Sequence, residues 1–470
     1  MPVFAPAPAT PILTPADPAW DDARKAWNLA VDQRPAATAV PESAAGVIAA
    51  VSFARDHGLR VAAQSTGHSA APLGPLDDTV LIKTQRMRQV RIDPAARTAR
   101  AEAGAVWADV IGPASGHGLT GLAGSSPNVG VAGYTLGGGM SWLGRAYGLS
   151  ANNVEKFEVV TADGRFRCAD PASEPDLFWA LRGGGGSFGV VTAIELRLFS
   201  ITEVYAGLLW WPIEAGSEVL HAWQELTRSG LPDEFTTVFR FLRVPSLPDV
   251  PEPVRGRSFA VVDAIHLGAP AEADALLAPL RRLRPVTDTI RTIDMPALSH
   301  LHMDPEHPVP RVSDGLMLAD LPSEAVTELA RAAGPETGSL LQVVEVRHVG
   351  GEMRRFRPGN GALAAVDAEY GLHAVGMVAT PQAAQAVGYG VAAVMSAMAP
   401  WAAGQTYLNF TETSRDPRGF FTPQAYERLR RIKATVDPAD LIRANHAIPP
   451  ARPAPVSAPA RDHAIPQPTG

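Results

Sequence analysis

The first residues whose types and spacing could do chemistry surround a single histidine. The segment Gln64-Ser65-Thr66-Gly67-His68-Ser69 places small and hydroxyl-bearing residues around one glycine. Such a loop exposes successive backbone N–H groups that can bind a phosphate anion. A neutral imidazole beside these donors could attack an electrophilic carbon and bond covalently to a cofactor. An ordinary turn with a hydrogen-bonded histidine explains the same residues, so this segment needs support from elsewhere in the chain.

A second segment is dense in glycine. Residues 124–139 have the sequence GSSPNVGVAGYTLGGG. Glycine at this density lets the main chain lie flat against a dinucleotide, where a Cβ would hold it away. A flexible loop is the alternative, but the apolar Val129, Val131 and Leu136 between the glycines would serve no purpose in a solvated linker. The segment therefore favours an extended bound ligand.

A third segment, residues 183–189, contains a formal GxGxxG pattern from Gly184 to Gly189. A Rossmann fingerprint needs a strand before the glycines, a helix after them and an acidic residue about twenty positions later. Here the sequence predicts a helix at 176–181 and a strand at 190–196, and the stretch around Leu209 has no carboxylate. The reversed order disfavours a nicotinamide dehydrogenase.

The elements that must position these segments are short strands and helices in a mixed α and β pattern. A helical stretch ending near His57 lies between the first two strands, and after Phe199 the glycine clusters stop, which indicates a domain boundary near residue 200. Ala/Leu-rich stretches such as 271–284 and an amphipathic segment at 425–433 predict helices. The predicted strands lie at 39–41, 59–63, 80–82, 98–103, 258–263 and 340–346.

Length and composition restrict the class of protein. A chain of 470 residues favours two or three domains, and 46% hydrophobic with 19% charged residues is typical of a soluble globular protein. The net charge of −7 and the lack of a basic stripe argue against nucleic-acid binding. Cys168 is the only cysteine, which excludes an intramolecular disulfide and a thiolate metal cluster. We expect no membrane span and a cytoplasmic location.

No metal site is predicted. His300, His302 and His307 are close in sequence, but Pro305 and the loop composition around them favour plain surface histidines. The Pro/Ala-rich ends, residues 1 to about 18 and 451–470, have no periodicity and are predicted to be disordered.

Together with Val159-Val160-Thr161-Ala162-Asp163-Gly164, the three segments resemble the FAD-linked oxidases of the berberine bridge enzyme type. The resemblance covers about residues 36–200 and returns at 405–450, in Tyr407-Leu408-Asn409-Phe410 and in the sequence DPADLIRAN at 437–445. It implies an α+β fold with a PCMH-type FAD-binding domain of two α/β subdomains and a substrate domain whose antiparallel sheet is flanked by helices. The implied ranges are a disordered 1–19, an FAD-binding domain at 20–200, a substrate-binding domain at 201–415, a C-terminal return to the FAD domain at 416–450 and a disordered tail at 451–470.

The resemblance also assigns cofactor residues. The family's histidine bonds to the flavin, and His68 occupies its place. Many relatives add a second bond through a cysteine, but Ser126 stands at that position, which implies FAD held by a single covalent link. Valine at position 129 is typical of relatives in which oxygen reaches the reduced flavin. The implied FAD contacts are Ser65, Thr66, Gly67, Ser69, Gly124, Ser125, Ser126, Val129, Gly130, Gly133, Tyr134, Gly137, Gly138, Gly139, Tyr147, Gly148, Asn152, Gly189, Val190 and Asn445.

Tyr407 and Asn409 are the catalytic candidates, because relatives use the matching tyrosine near the flavin as base or substrate orienter. Strand alternation would place the two side chains on one face. A free tyrosine has a pKa near 10, so a base role at neutral pH needs a cationic neighbour or a strong hydrogen bond. Packing of Tyr407 in the sheet is the alternative. Weaker candidates are Arg347 and His348, before Gly350-Gly351, and Asp367, Glu369 and Tyr370, where many relatives carry a His-Arg pair.

The function that the resemblance implies is a two-electron oxidation by flavin. The substrate would be a small alcohol, a hemiacetal or sugar, a secondary metabolite or a compound with an amine-bearing carbon, and O2 would reoxidise the flavin to give H2O2. A flavin-dependent dehydrogenase or oxidative cyclase that does not use oxygen stays open, as does an inactive flavin-binding module. The sequence does not fix the oligomeric state.

Overall fold

A computed structural model describes residues 10–248, 250 and 252–452 of the chain. Its strands form three sheets, two of five strands and one of eight. The fold is α+β, as predicted. Within the part of the chain that the structure describes, no helix combines the length and the apolar character needed to cross a membrane.

The first sheet carries the His68 loop. Its strand order is β1-β2-β4-β3-β18, with β1 antiparallel to β2 and the other neighbours parallel. Helix α2 (Ala44–Asp56) begins at Ser43, whose side chain accepts a hydrogen bond from the Gly46 N–H, and buries its apolar face against this sheet. The five strands are β1 (Ile12–Leu13), β2 (Ala37–Ala39), β3 (Arg60–Gln64), β4 (Thr79–Lys83) and β18 (Ile442–Arg443).

The second sheet is antiparallel, and its strands flank the second and third glycine segments in the sequence. Its order is β5-β6-β9-β7-β8, and the strands are β5 (Val90–Asp93), β6 (Thr98–Glu102), β7 (Val154–Val160), β8 (Phe166–Ala169) and β9 (Val190–Arg197). The helices of this part of the chain are α1 (Trp20–Ala23), α3 (Trp107–Ser115), α4 (Val131–Leu136), α5 (Gly144–Tyr147) and α6 (Pro175–Leu181), and α12 (Pro423–Val436) joins them from the C-terminal end. Because α6 precedes and β9 follows the GxGxxG residues, the predicted helix-then-strand order is confirmed.

The third sheet is also antiparallel, and every second side chain faces the helices. Leu209, Trp211, Phe239 and Phe241 are buried on that face, while Arg240, Glu345 and other polar residues occupy the opposite face. The order is β13-β10-β12-β11-β16-β17-β15, with β14 also paired to β10. The strands are β10 (Glu203–Pro212), β11 (Phe235–Arg243), β12 (Ser258–His266), β13 (Thr287–Asp288), β14 (Arg291–Asp294), β15 (Arg311–Leu318), β16 (Val343–His348) and β17 (Tyr370–Met377). The helices are α7 (Gly216–Arg228), α8 (Pro270–Arg281), α9 (Met295–Leu298), α10 (Ser323–Ala333) and α11 (Pro381–Met398).

The ends of the chain differ in part from the prediction. Disorder up to residue 18 is wrong for residues 10–18, because Ile12 and Leu13 pair with Ala39 and Thr38 at the edge of the first sheet. The Ala451 N–H donates to the Arg430 carbonyl, so residue 451 is also placed. Residues 1–9 and 453–470, which the disorder prediction also covers, lie outside the described residues. The domain boundaries stay a prediction, although the second sheet ends at Arg197 and the third begins at Glu203.

Candidate active site

His68 follows β3 in the loop that leaves the first sheet. Its ring stacks on Trp27, with centroids 4.1 Å apart and planes 18° apart, and its Nδ1 lies 2.9 Å from the Thr66 hydroxyl. Burial and the Arg311 guanidinium lower the pKa of His68 to about 3, so the imidazole is neutral at physiological pH. Nε2 is buried and has no hydrogen-bond partner of good geometry among the described residues. A neutral imidazole with an uncommitted nitrogen is the form that can bond to an electrophilic carbon.

Two other parts of the chain that are predicted to contact the cofactor meet the His68 loop. A Cβ on Gly130 would come within 2.7 Å of Ser65 Oγ, so the second glycine segment passes directly against the His68 loop. The Asn445 amide donates to the Ser69 carbonyl from the C-terminal side. Ser65 Oγ is buried without a hydrogen-bond partner in the described part of the chain. The loop thus keeps unpaired polar atoms and a closely approaching backbone, which fits an anionic dinucleotide such as FAD.

The glycines of the second segment have two different surroundings. A Cβ on Gly133 would meet no atom within 4 Å, so open space lies in front of it, as it does in front of Gly185 in the third segment. A Cβ on Gly137 would instead collide with Asn409 Oδ1, and Gly138 has a φ of +115° and lies against Leu363. The sequence analysis explained the whole glycine run by a bound ligand. Gly137 and Gly138 are instead required because side chains of the protein itself lie against them.

Tyr407 and Asn409 reach the second glycine segment, but not from a strand. Leu408–Phe410 is a 3₁₀ helix, so the alternation predicted for Tyr407 and Asn409 is wrong. Asn409 nevertheless donates to the Tyr134 carbonyl over 2.9 Å, and Tyr407 Cε2 would lie 3.1 Å from a Cβ on Gly138. The short helix turns both side chains to the same glycine-rich backbone.

The Tyr407 phenol is a weak candidate for a base. Burial raises its pKa above the ordinary value of 10.0, and the nearby N–H groups of Met140 and Gly139, the Asn409 amide and Arg347 lower it by less. The hydroxyl is buried and makes no hydrogen bond of good geometry with the described protein atoms. A protonated phenol with a free O–H is suited to donating a hydrogen bond to a bound molecule.

A group of buried ionic side chains faces the same region from the third sheet, and we call Ser125, His302, Asp304, Glu345 and Arg347 the polar cluster. His302 binds Glu345 through Nε2 at 2.8 Å and Asp304 through Nδ1 at 2.7 Å. Arg347 donates to Glu345 at 2.8 Å and to Ser125 Oγ at 3.3 Å, and Ser125 donates to Asp304 at 3.1 Å. The cluster joins the second glycine segment to β16.

The charges of the polar cluster stabilise one another. Burial and Arg240 would lower the pKa of His302, but Asp304 and Glu345 outweigh them and raise it to about 9. Burial would raise the pKa of Asp304, but His302 lowers it to about 2. Burial likewise opposes ionisation of Glu345, but Arg347 and His302 hold its pKa well below the usual range. At neutral pH the cluster contains two cations and two carboxylates.

Aromatic rings connect the polar cluster to Tyr407. The Arg347 guanidinium lies 5.4 Å from the centroid of Trp142 and 5.5 Å from that of Phe410. Phe410 in turn packs edge-on against Tyr407, with centroids 5.2 Å apart. Tyr407, Arg347 and the two rings therefore form one surface of mixed polar and aromatic character.

The three histidines near Pro305 differ in their surroundings. His302 is 6% exposed, so its prediction as a surface histidine is wrong, whereas His300 and His307 are exposed as predicted. The described residues contain no group of three or more His, Cys, Asp or Glu side chains placed to hold a metal ion. The sequence analysis missed the polar cluster. The signal that could have indicated it is the spacing of Glu345 and Arg347 along β16, which puts both side chains on one face of the sheet.

His348 and the residues near β17 do not join the polar cluster. His348 points to the other face of the sheet, where Arg145 approaches it at 3.4 Å. The Tyr370 hydroxyl bonds to Thr227 at 2.8 Å, and Glu369 and Asp367 lie near Arg354.

Other predicted FAD residues are engaged mainly by the protein. Tyr147 packs against Phe199 with centroids 4.4 Å apart and planes tilted by 51°, and the Asn152 amide donates to the Leu363 carbonyl at 3.2 Å. Val190 is fully buried in the core beside α2. Gly148 and Gly189 have positive φ values of +79° and +156° and serve the backbone course at those positions. Their contact with FAD stays a prediction.

Comparison with known proteins gives a consistent picture. Residues 35–169 match the family model of an FAD-binding domain, and residues 406–449 match the model described as berberine and berberine like. The chain is 27% identical over 463 residues to (R)-6-hydroxynicotine oxidase of Paenarthrobacter nicotinovorans, covering 93% of this chain and 96% of that protein. It is 25% identical to the FAD-linked oxidoreductase YgaK of Bacillus subtilis (strain 168), covering 94% of this chain and 97% of that one.

Solved structures agree with these matches. The crystal structure of 6-hydroxy-D-nicotine oxidase from Arthrobacter nicotinovorans superimposes with a TM-score of 0.78 at 25% identity, covering 93% of this chain and 97% of that chain. BBE-like 1 of Physcomitrella patens gives a TM-score of 0.82 at 21% identity over 94% and 97% of the two chains, which shows a shared fold. With a match to an FAD-binding domain, a match to a berberine-like C-terminal segment and FAD-linked relatives along nearly its whole length, this chain is an FAD-dependent oxidoreductase that is similar to enzymes of the berberine bridge type.

Proposed function

We propose that this oxidoreductase is an oxidase that holds FAD through a single covalent bond from His68. The observation that carries the proposal is the buried, neutral imidazole of His68, which has an uncommitted Nε2 in the loop where the second glycine segment and Asn445 converge. Ser126 offers no thiol for a second bond, and its hydroxyl donates to Asn128 Oδ1 at 2.9 Å. When bound, FAD supplies the acceptor for two electrons and passes them to O2, giving H2O2.

The residues of the chain position and shield the substrate. The free Tyr407 O–H donates to a substrate oxygen or nitrogen, and Arg347, fixed by Glu345, offers a second polar contact. Trp142 and Phe410 exclude water around these groups. Because the ions of the cluster balance one another, a neutral polar carbon substrate fits best: an alcohol, a hemiacetal or sugar, or an uncharged amine. The relatives named for 6-hydroxynicotine make cyclic amines one class to test.

Covalent attachment is tested on a denaturing gel and by mass spectrometry of the intact protein. The wild-type band is expected to fluoresce and to carry the mass of one FAD, and His68→Ala is expected to lose both signals while keeping its fold. In the His68→Ala background, Ser126→Cys should restore part of the covalent flavin if Ser126 stands at the second attachment position. An unmodified wild-type mass would end the proposal of a covalent link.

Oxygen use is tested separately. The enzyme is reduced by light without air, and reoxidation is followed when air is admitted. Fast reoxidation is expected for the wild type, and Val129→Leu, a larger side chain at a half-buried position beside Gly130, should slow it. Slow reoxidation of the wild type would instead favour the dehydrogenase or cyclase. Lack of turnover with sugars, polyols and cyclic amines would favour an inactive flavin-binding module.

A further inference from the structure

A cavity lies on the third sheet, away from the His68 loop. It has a volume of about 510 Å³, within the range of small-molecule sites. Leu208, Trp210 and Phe259 form its floor, and the rings of Trp210 and Phe259 meet edge-on at 5.0 Å. Leu301 and Ile293 line its sides. The cavity is therefore built around an apolar, aromatic base.

The charged side chains that line this cavity are all cationic. Among the described residues, Arg257 and Arg291 are the only ionisable ones that line it, and neither forms an ion pair with another described residue. Arg257 lies 5.3 Å from the centroid of the Phe259 ring and donates to the Pro253 carbonyl at 2.9 Å. Thr287 adds a hydroxyl to the wall. Two guanidinium groups that have no ion-pair partner in the described part of the chain, above an aromatic floor, match a planar apolar molecule that carries a carboxylate.

The rim of the cavity exposes apolar side chains that a folded chain usually buries. Val286 is 59% exposed and Met303 is 54% exposed. Met303 also has a φ of +60°, in the left-handed region that a side chain other than glycine adopts at a cost of roughly 1 kcal/mol. The flexible thioether of Met303 can adapt to a flat ligand at the mouth of the cavity. Binding there would remove the side chains of Val286 and Met303 from water.

The cavity is separate from the polar cluster. One face of the sheet carries a row of direct cross-strand neighbours, in the order Trp210, Val261, Arg240 and Glu345. Trp210 and Glu345 are therefore three strand spacings of about 4.8 Å apart, or about 14 Å. Arg240 between them is fully buried and donates to the His302 carbonyl at 3.0 Å. The chain around His302 thus closes the space between the two sites.

We propose that this cavity binds a small aromatic or alicyclic carboxylate at a site distinct from that of the flavin. The ring lies on Trp210 and Phe259, and the carboxylate meets Arg257 and Arg291. This inference does not depend on the proposed oxidase activity, because none of the residues that carry it belongs to the His68 loop or to the polar cluster.

The test is calorimetric titration of the holoenzyme with 2-naphthoate, and with 2-naphthamide as a neutral molecule of the same shape. We expect one naphthoate per chain, bound more tightly than naphthamide. Each of Arg257→Ala and Arg291→Ala should weaken naphthoate binding about fivefold, as expected for partly exposed ion pairs. Arg282→Ala, which removes an exposed arginine outside the cavity, should leave binding unchanged.

A second variant tests the space rather than the charge. Ala297 lines the cavity from an exposed position, so Ala297→Trp should fill it and abolish binding while both arginines remain. Lack of naphthoate binding to the wild type, equal affinity for naphthoate and naphthamide, or binding that survives Ala297→Trp or loss of both arginines would each overturn the proposal.

Discussion

The effect of the Tyr407 hydroxyl on the stability of the fold can be measured separately from its effect on turnover. It is buried and has no hydrogen bond of good geometry in the described structure. Tyr407→Phe should leave the free energy of unfolding unchanged or raise it by up to about 1 kcal/mol, because an unsatisfied polar atom is removed. Turnover should fall about tenfold, the value of one hydrogen bond to the reacting molecule.

Urea unfolding and oxygen consumption measure the two effects on Tyr407→Phe. Tyr426→Phe, on α12, is the matched control and should change neither quantity much. If Tyr407→Phe loses stability as well as activity, the hydroxyl has a structural role that outweighs its contact with substrate.

His302 gives the stability of the protein a pH dependence. Its pKa of about 9 in the folded chain exceeds the value of about 6.5 expected when unfolded, so the charged form favours folding. This contribution is fully present below about pH 6.5 and is lost as the pH rises through about 9. His302→Gln should therefore be less stable than the wild type at pH 6, and the difference should shrink by pH 9.5. Urea unfolding across this range measures it, and a difference independent of pH would contradict the assignment.

Sequence patterns located individual residues only where the signal was local. His68 and the second glycine segment were recognisable because a short motif carries them. The burial of His302 was not, since its partner Glu345 is 43 residues away in the chain and only the folded sheet brings them together. The composition of the loop indicated that His302 lies at the surface, but its ion pair with Glu345 holds it in the interior.

At the scale of elements, α4 and its glycines can be tested for contact with the cofactor. Gly133 has no atom within 4 Å of its Cβ position, so Gly133→Ala is expected to fold normally. Its methyl group would enter the open space in front of α4, and FAD loading should fall if the dinucleotide lies there.

Gly112→Ala is the matched control for Gly133→Ala. Gly112 also has no atom within 4 Å of its Cβ position and lies in α3. The change should leave FAD loading intact and alter stability little, because the clash of the new Cβ with Pro113 offsets the higher helix propensity of alanine. The ratio of flavin absorbance to protein absorbance after purification gives the loading, and equal loading in both variants would place the cofactor elsewhere.

Elements were predicted well where the periodicity was long and poorly where it was short. Helix α6 and strand β9 follow from the sequence around residues 176–196, which settled the order around the third glycine segment. The 3₁₀ helix at Leu408–Phe410 spans too few residues to distinguish its pattern from strand alternation. Strand β1 was missed because its Pro/Ala-rich surroundings indicate disorder, whereas its stability comes from pairing with β2.

At the scale of the whole molecule, a buried lysine, held by an ion pair inside the C-terminal segment, fastens that segment to the third glycine segment. Lys433 Nζ donates to Asp437 at 2.5 Å and to the carbonyls of Ser187 and Ile442 at 2.9 Å. Lys433→Ala would leave the Asp437 carboxylate buried without its cation and should cost about 3–5 kcal/mol of unfolding free energy.

The control for Lys433→Ala is an exposed ion pair from the same helix. Arg428 reaches Asp176 at 2.7 Å, with both side chains more than a third exposed, and Arg428→Ala should cost less than about 1 kcal/mol. Urea unfolding compares the two variants. Equal losses would show that burial of the Lys433 pair contributes little.

The position of β18 bears on when the protein becomes competent to take its cofactor. β18 is the neighbour of β3 in the first sheet, and Ile442 and Arg443 pair with Val61 and Ala62, close to the start of the His68 loop. During translation β3 is made first, and its flanking strand β18 is made only after the second and third sheets. The sheet that supports His68 is thus completed only after the ribosome has synthesised all the residues between β3 and β18, and the proposed flavin attachment follows that step.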